Sequence, residues 1–92
     1  MTGVERIAAE RNRQMVEEGW DAEHDEGHAE GSLSVAAACY AVAGVRGARS
    51  PAWPWDPKWD KRAKHNRIRR LEIAGALIAA EIDRLLRLEG GD

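Results

Sequence analysis

The sequence predicts an all-α protein of one domain, residues 1–92. The expected protomer is a three-helix, antiparallel, bundle-like unit with a long Trp/Pro-rich loop, assembling through its helices into an oligomeric bundle. Three observations predict this. Apolar residues recur at helical spacing in three segments. No stretch alternates apolar and polar side chains as a half-buried strand does. Glycine and proline concentrate between the periodic segments. A chain of 92 residues buries only roughly 60–65% of the surface its unfolded form exposes, so the core is thin. Self-association is a common remedy, and an apolar content of 43% rich in alanine suits close helix packing.

The first helix is expected at about 4–18. Thr2 and Glu5 form a capping-box pattern. Val4, Ile7, Ala8 and Met15 fall on one face, and Gly19 supplies a stop after which Trp20 turns inward. Residues 19–32, with three glycines and a block of acids, read as a loop. Ser32 is the expected N-cap of a second helix over about 33–43, whose Ala-rich face admits a close neighbour. Residues 44–60 contain Gly44, Gly47 and all three prolines, which exclude a regular helix or central strand. Connections that long are functional or disordered, and the tryptophans argue against disorder. The third helix, about 62–88, starts at a cap between Asp60 and Asn66. Its stripe Ile68, Leu71, Ala74, Leu77, Ile78, Ile82, Leu85, Leu86 and Leu88 is wide enough for two neighbours. Gly90-Gly91 closes it.

The net charge of −2 conceals a segregation: residues 17–30 carry seven acids and no base, whereas 58–70 carry seven bases and one acid. The first 16 residues have no apolar core of a signal peptide, and no run approaches the ~18 apolar residues of a membrane span. Cys39 reads as a small buried hydrophobe, and a single Cys excludes an intrachain disulfide, in keeping with a cytoplasmic protein.

Pro51–Arg70 is the most distinctive stretch. Trp53, Trp55 and Trp59 either plug the open end of the bundle or offer flat faces on which a base stacks. The neighbouring Lys58, Lys61, Arg62, Lys64, Arg67, Arg69 and Arg70 form a positive field that suits phosphate. Glu23, His24, Asp25 and His28 have side chains that suit Zn²⁺ or Mn²⁺. Gly27 lies between the histidines, however, so the expectation is no metal. The acidic loop is instead solvated or paired with 58–70 of its own or another subunit. Glu81, inside an apolar stretch, needs a partner, and Arg11 or Arg13 is expected to bridge to it. Arg6, Asn12, Arg13 and Gln14 make a polar face of the first helix that is either solvent-facing or one wall of a pocket.

Taken together, Glu5-Arg6, Arg11-x-Arg13-Gln14, Glu18-Gly-Trp20, His24-Asp25, His28, Ala36-Ala37-x-x-Tyr40, Trp53-Pro-Trp55 and Ala74-Gly-Ala-Leu77-Ile78-x-Ala80-Glu81-Ile82 resemble a group of small phage and prophage accessory proteins of unsettled function. More distantly, the order of these pieces resembles MazG-like, all-α nucleoside triphosphate pyrophosphohydrolases, which hold Mg²⁺ with ExxE- and ExxD-type motifs on two helices. Where the first motif would fall, this chain has Leu33-Ser-Val-Ala-Ala-Ala-Cys-Tyr40, without an acid. Near the second, only Glu72 is acidic. The resemblance therefore implies the fold and a nucleotide-sized pocket without a di-Mg²⁺ centre. The expected function is that of a phage-encoded, non-catalytic protein in the cytoplasm of an infected or lysogenic bacterium. It would sequester a nucleotide-derived small molecule such as an immune signal, with no cofactor, membrane or long nucleic acid. Trp53, Trp55 or Trp59 would stack the base, Lys58, Arg62 or Arg69 would pair with phosphate, and Arg13 and Trp20 are further ligand-binding candidates. The alternatives are a MazG-like metal-dependent pyrophosphohydrolase using Glu23, Asp25, Glu26 and Glu81, and a protein-binding inhibitor of a host defence factor.

Overall fold

In the computed structural model, which describes residues 1–28 and 30–90, the chain forms four α-helices: α1 (Gly3–Val16), α2 (Ala22–Glu26), α3 (Ser32–Val42) and α4 (Arg67–Leu88). Two 3₁₀ turns, Pro57–Trp59 and Arg62–Lys64, lie between α3 and α4, and no strand occurs among the described residues. The longest helix is the spine, because α4 packs against each of the other three.

The capping box forms as its spacing predicts. The Glu5 amide donates to Thr2 Oγ1 at 3.2 Å, and the Thr2 amide to Glu5 Oε1 at 2.8 Å. Gly19 turns the chain at φ +72°, which lets the Trp20 amide reach back to the Gln14 carbonyl at 2.9 Å. Two of the expected start signals are corrected. Gly31, not Ser32, caps α3, and the Ser32 hydroxyl is buried without a partner among the described residues. For α4 the competing caps resolve to Asn66, whose Oδ1 accepts from the Arg69 amide at 2.9 Å. Residues 62–64, expected inside that helix, form the separate 3₁₀ turn. At its far end Gly90 adopts φ +76°; Gly91, expected to share the stop, lies outside the described residues.

The 19–32 loop is also corrected. Residues 22–26 are helical because Asp21 Oδ1 accepts the His24 amide at 3.0 Å and closes the first turn. Asp25, 1% exposed, then meets Arg11 Nη2 at 3.3 Å. The acidic segment thus pairs with Arg11 and, through Glu26, with Arg87 at 3.3 Å.

The core consists of Leu33, Ala36, Ala37 and Tyr40 from α3 packed on Ile73, Ala74, Leu77 and Ala80 from α4. Burying a residue such as Leu33 or Leu77 contributes about 1.5–3 kcal/mol. Cys39 is fully buried, its thiol donating to the Pro51 carbonyl at 3.3 Å, so it anchors the long loop. Alongside, α1 crosses α4 so closely that a Cβ at Gly75 would lie 2.6 Å from Ile7 Cδ1.

Only part of the apolar face expected of α1 faces inward: Ile7 is half-buried against Gly75, but Val4 and Met15 are exposed, and the fully buried residues of that helix are Glu10 and Gln14. Polar burial wins because Glu10 is surrounded by guanidinium donors. Glu81 is buried as expected, but its partner is Arg84, one turn away at 2.6 Å. Arg11 and Arg13 serve Asp25 and Glu10 instead. On the outer side of α4, Ile68, Leu71, Ile78, Ile82 and Leu85 stay exposed.

Candidate functional site

A cavity of about 840 Å³ opens where α1, α2, α3, the 53–65 loop and α4 meet. That size falls within the range of small-molecule sites. Its loop side is built from short, side-chain-capped turns. Asp56 accepts the Lys58 amide at 2.9 Å, Asp60 accepts the Arg62 amide at 3.1 Å, and the Trp53 indole donates to the Asp56 carbonyl at 3.2 Å. Proline at the first position of the 57–59 turn fixes φ where a turn needs it.

Aromatic rings run continuously along this wall. Trp20 stacks on His24 with centroids 5.3 Å apart, His24 meets His28 edge-on at 4.8 Å, and His28 touches Trp55 at 4.9 Å. Trp55 lies nearly perpendicular to Trp53 at 5.4 Å, and Trp53 meets Tyr40 at 5.9 Å. Trp59 lines the same cavity and is 58% exposed. All four tryptophans therefore converge on one space. Burial and the neighbouring His24 charge push the His28 imidazole below its ordinary value, which favours the neutral ring at neutral pH.

The opposite wall is polar and enclosed. Glu10 receives Arg13 at 2.8 and 3.0 Å, Arg69 at 2.5 Å and the Gln14 amide nitrogen at 3.0 Å. Burial works to raise its carboxyl, but the hydrogen bonds from Arg13 and Arg69, the charge of Arg69 and the Gln14 amide outweigh that and hold it below the usual carboxylate range. Gln14 is 0% exposed, and its Oε1 has no donor among the described residues. Trp55 Nε1 is likewise buried without an acceptor. Such orphans cost about 1–3 kcal/mol each, and Ser32 Oγ, Arg11 Nε and Arg87 Nε, away from the cavity, are buried in the same way among the described residues.

The basic run divides by residue type. Its arginines are committed to the protein. Arg62 grips Asp60 at 2.6 Å and lies 5.3 Å over the Trp53 ring, while Arg67 donates to the Ala41 carbonyl. Arg70 donates to the carbonyls of Arg62 and Ala43, and Arg69 bridges Glu10 and Glu72. Lys58 sits 5.2 Å over the Trp59 ring and does not line the cavity. Lys61 and Lys64 do line it and form no ion pair among the described residues. His65 lines the cavity too, and burial with the charges of Arg69, Lys64 and Arg13 holds it below its ordinary value.

Of the residues singled out in the sequence, Trp20, Trp53, Trp55, Trp59, Arg13 and Arg69 line the cavity, whereas Lys58 and Arg62 do not. In the sequence Lys61 and Lys64 stand out only as part of the positive field. Tyr40, His65 and Glu10 were not singled out as ligand-facing, and no spacing signal brings them together. His24 and His28, considered for a metal, are instead links in the ring chain. Asp25 faces Arg11, and Glu23 is exposed. Among the described residues no group of three or more His, Cys, Asp or Glu side chains converges to hold a metal ion. Among the described residues no helix is long and apolar enough to cross a membrane. The arrangement can stack a planar ring and oppose an anion with two lysines. No family model, no curated protein and no solved structure matches the chain.

Proposed function

We propose that this is a non-catalytic protein that sequesters a nucleotide-derived small molecule in its aromatic cavity, a phage-borne and cytoplasmic relative of the MazG-like outline. The observation that carries the reading is the convergence of four indoles on one cavity whose lining includes two lysines that form no ion pair among the described residues. Indoles stack any nucleobase for about 1–3 kcal/mol each, and ammonium groups pair with phosphate. In this reading Trp53, Trp55, Trp59 and Trp20 meet the base, Lys61 and Lys64 meet the phosphate, and Arg13 and Arg69 hold the cavity wall.

The protein is incubated with a panel of nucleoside mono- and triphosphates and cyclic dinucleotides, with and without Mg²⁺. Bound ligand is then recovered and identified by mass. The expected result is at least one nucleotide retained and released unchanged. Recovery of a hydrolysed product would favour a pyrophosphohydrolase, and retention of none would remove the reading. The exposed stripe Ile68, Leu71, Ile78, Ile82 and Leu85, spaced like one seam of a helical bundle, supports self-association through α4. Sedimentation as a single 10.2 kDa species at micromolar concentration would remove that part.

A further inference from the structure

We propose that a second copy of this chain covers the outer face of α4, the two helices running antiparallel about a two-fold axis near Gly75 and Ile78. This rests on the self-association reading above and adds to it the partner's direction and register. Ile68, Leu71, Gly75, Ile78, Ile82 and Leu85 follow the alternating three- and four-residue steps of a coiled-coil seam. The five side chains of this row are each at least 42% exposed, and Leu86 and Leu88 beside them are exposed too. Ile7 of α1 lies over Gly75 and is only half-buried, so it fills the gap that glycine leaves in the row. The folded chain exposes 5939 Å², whereas a compact monomer of its mass exposes about 5,300 Å². A specific interface takes roughly 500 Å² from each partner, which the excess can supply.

The charges of α4 decide the direction. Arg69, Glu72, Glu81, Asp83, Arg84 and Arg87 each have an ion-pair partner within the chain. Arg67 and Arg70 in the first turn, and Glu89 just past the last, form no ion pair among the described residues. Arg70 is bonded to two carbonyls, whereas Arg67 is exposed and gives one N–H of its fork to the Ala41 carbonyl. Glu89 is exposed as well. A cation at a helix N-terminus and an anion at its C-terminus both oppose the helix dipole. A parallel pair would set like charges and like helix ends side by side. In the antiparallel pair Ile68 meets the partner's Leu85 and Leu71 meets the partner's Ile82. Glu89 then comes within one turn of the partner's Arg67, at both ends of the seam. Such a contact is isologous and closes at two subunits. Arg69, Ile73 and Leu77, which line the cavity, lie on the opposite side of α4 by helical spacing, so the cavity of each copy stays open.

The test joins cross-linking to charge exchange. Full-length Ile68→Cys and Leu85→Cys variants, one of them isotopically labelled, are mixed in equal amounts, oxidised and weighed. Both positions are on the surface, and the native Cys39 is fully buried. Mixed disulfides between the two variants should dominate. Predominance of either variant linked to itself would mean a parallel pair and overturn the proposal. In sedimentation equilibrium Glu89→Arg should weaken the dimer about tenfold, since the two-fold axis repeats each pair. Adding Arg67→Glu to it should restore the dimer. A dimer that ignores both changes, or a trimer or larger closed species, would overturn the antiparallel arrangement while leaving self-association intact. A single 10.2 kDa species up to high micromolar concentration would assign the face to a different protein, and self-association and this arrangement would fall together.

Discussion

The two sides of the cavity hold their shape by different means. On the helical side, Glu10 and Gln14 are 3% and 0% exposed; guanidinium bonds from α1 and α4 lock Glu10, and Gln14 donates to it. On the loop side, Trp53 and Trp55 are half-buried and Trp59 is mostly exposed, held by 3₁₀ turns and ring-on-ring contacts. The first wall is continuous with the core, so damage to it reaches the fold. The second is mounted on the core through Cys39, Tyr40 and Arg70, so damage to it can empty the cavity and leave the helices standing. The loop wall can thus be altered with less damage to the helices than the helical wall can.

The largest expected effect tests the helical wall. Glu10→Ala strands Arg13, Arg69 and the Gln14 amide. Breaking a buried ion pair costs about 3–5 kcal/mol, and since Arg13 and Arg69 are 35% and 29% exposed and can rehydrate, we expect about 3 kcal/mol, read by chemical denaturation. A loss below about 1 kcal/mol would mean that this wall does not belong to the core.

Next comes the inner loop position. Trp55→Ala should cost about 2 kcal/mol, below the ~3–5 kcal/mol of a fully enclosed indole, because its ring is half-buried. Complete unfolding would make the two walls one unit and erase the contrast.

Acidification should act on the walls in sequence. His28 and His65, on the loop side, have values held below the ordinary 6.5, so the unfolded chain takes up protons first. Stability present above about 6.5 is then lost as pH falls through their lowered folded values. Glu10 and Glu72 sit below the ordinary 4.5, so their contribution is lost only as pH falls from there through their own lowered values. Melting temperatures taken from pH 7.5 to 3 should decline in two stages, and constancy down to pH 4.5 would remove the first.

The smallest effect on stability is at the outer loop position. Trp59→Ala should change the folding free energy by less than about 0.5 kcal/mol, as exposed sites do, yet remove binding worth about 1–3 kcal/mol. An equal loss of both would deny the separation.

The helices were legible where local rules act alone. Thr2-x-x-Glu5, Asn66 and the α4 stripe require nothing beyond their own neighbours. Misreadings arose where a distant partner decides. Val4 and Met15 carry the apolar periodicity of α1, but guanidinium groups on α1 and α4 pull Glu10 inward. The helix at 22–26 is too short for any periodicity to register, and its stability comes from Asp21 and the Arg11–Asp25 pair. The tryptophans of 53–59 stood out as a group, but their meeting with Trp20, His24 and His28 depends on a packing of α2 that no spacing encodes.

The perpendicular indoles of Trp53 and Trp55, with neutral-leaning His28 against one of them, have an optical consequence. Two identical chromophores 5.4 Å apart and 85° out of plane couple their transition dipoles. The folded protein should therefore show a paired positive and negative circular-dichroism band from tryptophan that the unfolded chain lacks. A ring sliding between or against these indoles would rotate or screen that coupling, and protonation of the imidazole would quench the emission beside it. The cavity thus carries its own spectroscopic gauge, and its occupancy can be followed in unlabelled protein.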